Sequence, residues 1–128
     1  MALREKLQVM IVDDMSTSRG LLQQAVEELG IMHNDYCVDG ATAFREISAR
    51  PVHLVISDYN MPNMNGLELL KSIRSYAPTQ KMAFILVSGT PTREILDTGR
   101  ALGMNNFLKK PFTTAEMRAC IESVVGRL

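Results

Sequence analysis

The sequence predicts a single α/β domain in which a doubly wound, five-stranded parallel sheet is flanked by five helices. Three observations support this fold class. Short apolar runs recur along the chain with few polar alternations, as expected of strands buried on both faces. Segments with helical periodicity separate these runs, so that strand and helix alternate five times. The length of 128 residues suits one domain with one core.

The predicted strands are five short apolar segments, most of them rich in Val, Ile, Phe or Tyr. They are too short for helices, and the connections between them are short enough for right-handed crossovers between parallel strands. In chain order, the predicted strands are residues 9–12, 36–38, 54–57, 84–87 and 107–108.

The segments between the strands carry apolar residues at helical spacing. Gly30 after the first pattern and Pro51 after the second are typical of helix ends. Three helix beginnings carry capping signals: Asn65 and Thr113 each precede a Glu by three positions, and Thr90 precedes a proline. The apolar positions are Leu22, Val26 and Leu29; Ala43 and Ile47; Leu69, Leu70 and Ile73; Ile95 and Leu102; and Met117, Ile121, Val124 and Val125.

Composition and charge exclude several classes of function. Fourteen basic and fourteen acidic side chains cancel, although residues 1–98 carry −3 (nine basic, twelve acidic) and residues 99–128 carry +3 (five basic, two acidic). This asymmetry is too mild for nucleic-acid binding. The N-terminal segment does not resemble a signal peptide and no segment has the length of a membrane span, so we expect a cytoplasmic protein. Cys37 and Cys120 stand alone among apolar residues and are expected to be reduced, buried thiols.

Polar residues follow four of the predicted strands at the point where each strand ends. Asp13 and Asp14 follow the first strand, Asp58 the third, Ser88 the fourth and Lys110 the fifth. Because the carboxyl ends of parallel strands meet at one edge of the sheet, these side chains are expected to form one pocket. Each residue alone has an ordinary explanation, such as capping a helix or facing solvent. Their joint occurrence after the correct strands indicates a functional site.

The predicted pocket contains three carboxylates, a hydroxyl and an ammonium. Carboxylates packed this closely repel one another, and a hard divalent cation such as Mg²⁺ would relieve the repulsion. A carboxylate can also attack phosphorus to give an aspartyl phosphate. The metal and Lys110 would neutralise charge on the phosphoryl oxygens, and Ser88 would donate a hydrogen bond to one of them. The sequence therefore predicts a Mg²⁺ site in which one of the carboxylates can be phosphorylated.

Three segments, residues 12–14, 55–70 and 109–112, resemble the receiver domains of two-component response regulators, especially the single-domain chemotaxis regulators of the CheY type. The similarity extends over essentially the whole chain. It implies a flavodoxin-like fold with strand order 2-1-3-4-5 and one receiver domain over residues 1–128, without an output domain. It also implies reversible phosphorylation of Asp58 by a histidine kinase, and a monomer that signals by contact with another protein, for example the flagellar motor switch protein.

The resemblance assigns roles to individual residues around the metal. Asp14 and Asp58 would bind Mg²⁺ directly, together with the backbone carbonyl of Asn60. Asp13 would act mainly through metal-bound water, and Lys110 would contact the phosphoryl group.

The resemblance also implies a switch. Ser88 would move toward the phosphoryl group, Phe107 would follow it inward, and the Lys110–Pro111 peptide bond would be cis. Phe107 stands where related regulators carry Tyr, and exposing an apolar ring costs about 1.5–3 kcal/mol, so we expect it to point inward even before phosphorylation. The predicted output face consists of Thr90, Met104, Phe107 and Lys109.

Two alternatives to a regulator that binds a target remain open. A phosphate sink or phosphorelay intermediate would use the same pocket, so the sequence does not separate these functions. A phosphohydrolase of the haloacid-dehalogenase type would need a second Asp two positions after Asp58. Asn60 occupies that position, and we therefore expect a phosphoacceptor protein rather than an enzyme.

Overall fold

A computed structural model describes residues 2–128, in which strands and helices alternate as predicted. The strands are β1 (Gln8–Val12), β2 (His33–Cys37), β3 (Leu54–Asp58), β4 (Ala83–Ser88) and β5 (Asn106–Lys109). The helices are α1 (Leu3–Lys6), α2 (Ser16–Glu28), α3 (Gly40–Ala49), α4 (Gly66–Arg74), α5 (Arg93–Ala101) and α6 (Thr114–Val125), and a 3₁₀ helix spans Ala77–Thr79.

The sheet is parallel throughout and has the strand order β2-β1-β3-β4-β5. This order confirms the predicted fold class and topology. The register pairs Val12 with Ser57 and Asp58 with Val87, so β1, β3 and β4 end at the same edge. In such a sheet, the winding reverses between β1 and β3, and the crevice at their carboxyl ends is where ligands bind.

The core consists of two apolar layers, one on each face of the sheet. Side chains that alternate along the central strands supply both layers: Ile11 and Ile56 pack with α2 and α6, whereas Met10 and Val55 pack with α3 and α4. All four of these side chains are at most 3% exposed. Burial of β1 and β3 on both faces explains why their sequences are almost continuously apolar.

The second strand differs from its prediction. Residues 36–38 were expected to form it, whereas β2 begins three residues earlier and ends at Cys37. Most of its side chains are exposed or half-buried, because β2 lies at the edge of the sheet. An edge strand needs no continuous apolar run, so apolarity alone detects only its last residues.

The beginning of α5 also differs from its prediction. Thr92, and not Thr90, is the N-cap, because its hydroxyl oxygen accepts a hydrogen bond from the Ile95 amide at 3.1 Å. The Thr90 amide donates instead to Ser88 Oγ at 3.2 Å. Thr90 and Pro91 therefore belong to the loop between β4 and α5.

The number of helices exceeds the five that were expected. α1 is an additional helix of four residues, which brings the α-helices of residues 2–128 to six. Four residues are too few to display helical periodicity. Among the residues that the structure describes, no helix has the length and apolarity needed to cross a membrane.

Capping boxes define the beginnings of α4 and α6, as predicted. The Asn65 side chain accepts a hydrogen bond from the Glu68 amide, and the Glu68 carboxylate accepts one from the Asn65 amide, both at 2.9 Å. Thr113 and Glu116 exchange the equivalent pair at 3.0 and 2.8 Å. Each box satisfies two backbone donors that a helix N-terminus otherwise leaves free.

Gly66 lets the beginning of α4 approach the end of β3. A Cβ atom at this position would lie 2.6 Å from the backbone oxygen of Asp58 and 2.7 Å from Leu86 Cδ1. Both distances are shorter than a van der Waals contact. A side chain here would therefore push the beginning of α4 away from Asp58 at the end of β3.

Candidate functional site

Three carboxylates meet at the carboxyl edge of the sheet. Asp13 directly follows β1 and is completely buried, and Asp58 ends β3 with 5% exposure. Asp14 is exposed. One oxygen from each carboxylate lies within 4.8 Å of the other two. Because β1 and β3 are neighbours, the two ends that carry these residues converge, as the topology predicts.

Lys110 approaches the same carboxylates from the loop after β5. Its ammonium Nζ lies 2.9 Å from Asp58 Oδ1 and 3.7 Å from Asp13 Oδ2. Its backbone amide donates to the Ser88 carbonyl at 2.9 Å, which fixes this loop to the end of β4. The Lys110–Pro111 peptide bond is cis. The Lys110 side chain is 27% exposed, so its ion pair with Asp58 is largely shielded from water.

Ser18, a residue of α2 that the sequence analysis missed, connects Lys110 to Asp13. Ser18 Oγ donates a hydrogen bond to Asp13 Oδ2 at 2.5 Å and accepts one from Lys110 Nζ at 2.6 Å. The direction of both bonds is fixed, since an ammonium only donates and a carboxylate only accepts. The Met15 amide donates to the remaining oxygen, Asp13 Oδ1, at 3.0 Å. Both oxygens of Asp13 therefore accept hydrogen bonds from the protein.

Burial and charge act in opposite directions on Asp58. Loss of solvation raises the pKa of this carboxyl, while the hydrogen bond and the positive charge of Lys110 lower it. The negative charge of Asp13 adds to the rise, and the pKa stays above the ordinary carboxyl value. A cation among these carboxylates would favour the ionised form of Asp58, which is the nucleophilic form.

The donor set of the site could hold a metal ion. The oxygens of Asp13, Asp14 and Asp58 can reach one ion, and oxygen donors of this kind suit hard divalent cations. The exposure of Asp14 leaves one side of the cluster open to solvent. A cleft of about 540 Å³ begins there, lined by Asp14, Met15, Tyr59, Asn60, Met61, Pro62 and Asn65. Asn60, the predicted carbonyl ligand, thus belongs to the wall of this cleft.

Ser88 ends β4 and is buried, but its hydroxyl is engaged locally. Ser88 Oγ accepts a hydrogen bond from the Thr90 amide at 3.2 Å. Within residues 2–128, no hydrogen bond joins this hydroxyl to Asp58 or Lys110. Its contact with a phosphoryl group stays a prediction; because Oγ is only the acceptor in this bond, its O–H remains available to donate.

The residues of the predicted output face differ in exposure. Phe107 is partly buried and packs against the core layer on the side of α3 and α4, so its ring is not free in solvent. Met104 packs against the same layer, whereas Thr90 and Lys109 are exposed. That these four residues form an interaction face stays a prediction.

The two cysteines belong to the core and not to the site. Both are free and buried, as predicted. Burial raises the pKa of the Cys120 thiol to about 11, and burial together with Glu46 raises that of Cys37 to about 12. Since the thiolate is the reactive form, neither residue is a nucleophile at neutral pH.

Known proteins share both the sequence pattern and the fold. Residues 9–122 match the family described as response regulator receiver domain. A probable chemotaxis protein CheY of Rhizobium etli is 42% identical over 128 residues, which are 100% of this chain and 99% of that protein. Chemotaxis protein CheY4 of Vibrio cholerae has a similar structure, with a TM-score of 0.86 and 24% identity over 93% of this chain and 98% of its own. The receiver domain of a sensor histidine kinase from Pseudomonas aeruginosa, with a magnesium ion in its active-site cleft, has a TM-score of 0.84 and 20% identity over 94% of this chain and 98% of its own.

Proposed function

Because this chain belongs to the response regulator receiver family, we propose that it is a chemotaxis response regulator that a histidine kinase phosphorylates on Asp58. One observation carries the assignment of the residue. Asp58 is the carboxylate that contacts the Lys110 ammonium at 2.9 Å and also lies within 4.8 Å of two further carboxylates. A nucleophile, a cation and a metal-binding group therefore meet at one place in the structure.

In the proposed reaction, a carboxylate oxygen of Asp58 attacks the phosphorus of a phosphohistidine on the kinase. The new O–P bond forms as the P–N bond breaks, and the leaving imidazole nitrogen takes up a proton. The Lys110 ammonium would neutralise charge on the transferred phosphoryl oxygens. Ser88 at the end of the neighbouring strand would donate its hydroxyl hydrogen to one of these oxygens.

Mg²⁺ is the cofactor that we assign to the acidic cluster. Asp14, Asp58 and the backbone carbonyl of Asn60 would hold it directly, and Asp13 would act through water. When bound, Mg²⁺ neutralises negative charge on the carboxylates and the phosphoryl group. Asp13 is completely buried and accepts hydrogen bonds at both oxygens, which supports an indirect role for this residue. The magnesium ion of the Pseudomonas aeruginosa receiver domain supports the same choice of metal.

The proposed output is a contact with another protein, such as the flagellar motor switch protein. Lys110 links Asp58 to the end of β5, and the next residues along this strand include Lys109 and Phe107 of the predicted output face. A phosphoryl group that changes the position of Lys110 would therefore act directly on that face. The chemotaxis proteins among the relatives support this kind of target.

Phosphorylation of a matched set of variants tests the assignment of Asp58. Wild type, Asp58→Asn and the control Asp35→Asn are incubated with acetyl phosphate and Mg²⁺, and separately with a phosphorylated histidine kinase. Mass spectrometry then locates the modified residue. We expect labelling of wild type and of the control, whose substitution lies in the exposed edge strand, and no labelling of Asp58→Asn. Full labelling of Asp58→Asn, or no labelling of wild type by either donor, would contradict the proposal.

Binding to the motor switch protein separates a regulator from a phosphate sink. Affinity is measured by calorimetry without additives and with Mg²⁺ and beryllofluoride, which imitates the phosphoryl group. A regulator of the motor binds more tightly when beryllofluoride is present. A phosphate sink is phosphorylated equally well but shows no such gain in affinity.

A further inference from the structure

The Ser18 hydroxyl lies between the Asp13 carboxylate at 2.5 Å and the Lys110 ammonium at 2.6 Å. We infer that Ser18 is a positioning residue that holds the Lys110 ammonium beside Asp58 for phosphoryl transfer. This inference rests on the proposed function, since it concerns the same reaction. It goes beyond the proposed function because it assigns a role to Ser18 of α2, which is not among the predicted site residues.

The first support is the set of acceptors around Lys110 Nζ. The shortest contact is with Ser18 Oγ at 2.6 Å, followed by Asp58 Oδ1 at 2.9 Å and Asp13 Oδ2 at 3.7 Å. A lysine side chain is long and has many rotamers, so the acceptors that it meets determine where its ammonium stays. Ser18 is the uncharged one of these three acceptors.

The second support is that the partner on the other side of Lys110 changes during the reaction. When Asp58 becomes an aspartyl phosphate, its contact with Lys110 has to be exchanged for a contact with phosphoryl oxygens. The contact with Ser18 can persist, since Ser18 takes no part in bond formation. Ser18 would therefore keep the ammonium in reach of the reacting group while its charged partner is altered.

The third support is the rigidity of the helix that carries Ser18. The first turn of α2 is fixed to the end of β1, because the Arg19 guanidinium donates to the Asp13 carbonyl at 3.2 Å. The same guanidinium lies 4.5 Å from the centroid of the Tyr36 ring, a cation–π contact with β2. The Ser18 hydroxyl is further oriented by its donation to the buried Asp13. An acceptor held in this way is preorganised to receive the Lys110 ammonium.

The test compares Ser18→Ala, Ser18→Thr and the control Ser16→Ala, which removes the same hydroxyl from an exposed position of the same helix. The rate of phosphorylation by acetyl phosphate is measured at saturating Mg²⁺, and the dissociation constant of Mg²⁺ is measured by calorimetry. We expect Ser18→Ala to be about 3- to 10-fold slower, as the loss of one hydrogen bond predicts. Ser18→Thr keeps a hydroxyl and should recover most of the rate, and Ser16→Ala should equal wild type.

The affinity for Mg²⁺ separates positioning of Lys110 from support of the metal site. If Ser18 acts on Lys110, Ser18→Ala binds Mg²⁺ within about twofold of wild type, although it reacts more slowly. A loss of Mg²⁺ affinity as large as the loss of rate would overturn the inference, because Ser18 would then act through Asp13. Thermal unfolding of each variant verifies that it is folded at the temperature of the rate measurement.

A double-mutant cycle with Lys110→Ala completes the test. A residue that acts through Lys110 has no effect once Lys110 is absent, so Ser18→Ala should change the rate of the Lys110→Ala protein by less than about twofold. An equal loss in both backgrounds would overturn the inference. If wild type is not phosphorylated at all, the proposed function fails, whereas a phosphorylated wild type with a normal Ser18→Ala rate contradicts the role of Ser18 alone.

Discussion

The Lys110 ammonium lies 2.9 Å from Asp58 Oδ1, and the two groups belong to different parts of the sheet. Asp58 ends β3, whereas Lys110 follows β5 at the opposite side of β4. This one contact therefore connects the proposed site of phosphorylation to the strand that carries Phe107. Because Asp58 is 5% exposed, the contact is largely protected from solvent and from screening by salt.

Lys110→Ala should separate phosphorylation from its structural consequence. We expect the variant to be phosphorylated, more slowly than wild type, because Asp58 and the acidic cluster are intact. The change in the Phe107 amide resonance on addition of Mg²⁺ and beryllofluoride should be lost, since the connection to β5 is removed. Lys81→Ala, a substitution of an exposed lysine, is the control and should retain the change. A normal response of Phe107 in Lys110→Ala would show that another connection transmits the signal.

Asp14→Asn should stabilise the protein without metal and weaken its binding of Mg²⁺. Folding brings three carboxylates together, and the substitution removes one of the charges that repel each other. Mg²⁺ at about 10- to 100-fold its dissociation constant should raise the free energy of unfolding of wild type by roughly 1–3 kcal/mol. Denaturant titrations with and without Mg²⁺ measure both effects, with Asp35→Asn as the control for charge. Unchanged stabilisation of Asp14→Asn by Mg²⁺ would mean that Asp14 is not a ligand.

Gly66→Ala should destabilise the protein by about 1–3 kcal/mol, because the new Cβ overlaps the Asp58 carbonyl and Leu86. Gly20→Ala is a matched control within a helix, since nothing lies within 4 Å of a Cβ at that position. It should raise stability by about 0.5–1 kcal/mol, as alanine usually does in helices. Urea denaturation measures both values. A Gly66→Ala protein as stable as Gly20→Ala would show that α4 and β3 can move apart at little cost.

The two cysteines should resist modification in the folded protein. Burial raises the pKa of Cys120 to about 11 and that of Cys37 to about 12. At pH 8 the thiolate population is therefore at least about 100-fold lower than for an unfolded thiol, and reaction with Ellman's reagent should slow accordingly. In denaturant, two thiols should react rapidly. Fast reaction of either thiol in the native protein would show that its surroundings open readily.

Stability should fall in strongly alkaline solution for the same reason. The folded state favours the neutral thiols. Their contribution to the free energy of unfolding is therefore fully present below the ordinary thiol pKa of about 9. It is lost as the pH rises through about 11 and about 12, where the unfolded chain has already ionised. The free energy of unfolding is measured by denaturant titration between pH 9 and pH 11. It should decline less in a protein with both Cys37→Ala and Cys120→Ala than in wild type.

Phe107→Tyr should lower binding of the unphosphorylated protein to its proposed target. The Phe107 ring is partly buried against the core, and a hydroxyl at its end favours a position closer to solvent. If the inward ring resembles the active form, the substitution reduces the population that is competent to bind. The affinity of both proteins for the motor switch protein and for Mg²⁺ is measured. Only the affinity for the motor switch protein should change. Equal basal binding of both proteins would remove Phe107 from the switch.

Much of the fold could be predicted from sequence because its signals are local. Apolar runs reveal the central strands, and the side chains of Asn65 and Thr113 cap helices within three residues of their own position. The predicted bounds of β2 and the predicted N-cap of α5 were wrong, because the place of an element in the fold decides both. β2 lies at the edge of the sheet, where most of its side chains are exposed or half-buried, and Thr92 caps α5 because its hydroxyl is the one that accepts from the Ile95 amide.

The sequence by itself determined that Asp13, Asp14, Asp58 and Lys110 would share one pocket, because parallel strands bring their carboxyl ends to the same edge of a sheet. Only the tertiary structure decided how these groups differ. Asp13 is buried and doubly hydrogen-bonded, whereas its neighbour Asp14 is exposed to the cleft. Ser18 meets Lys110 across 92 positions of the chain. The contact between Ser18 and Lys110 depends on how α2 packs beside β1 and on where the loop after β5 lies, and residues that are close in sequence do not decide either of these.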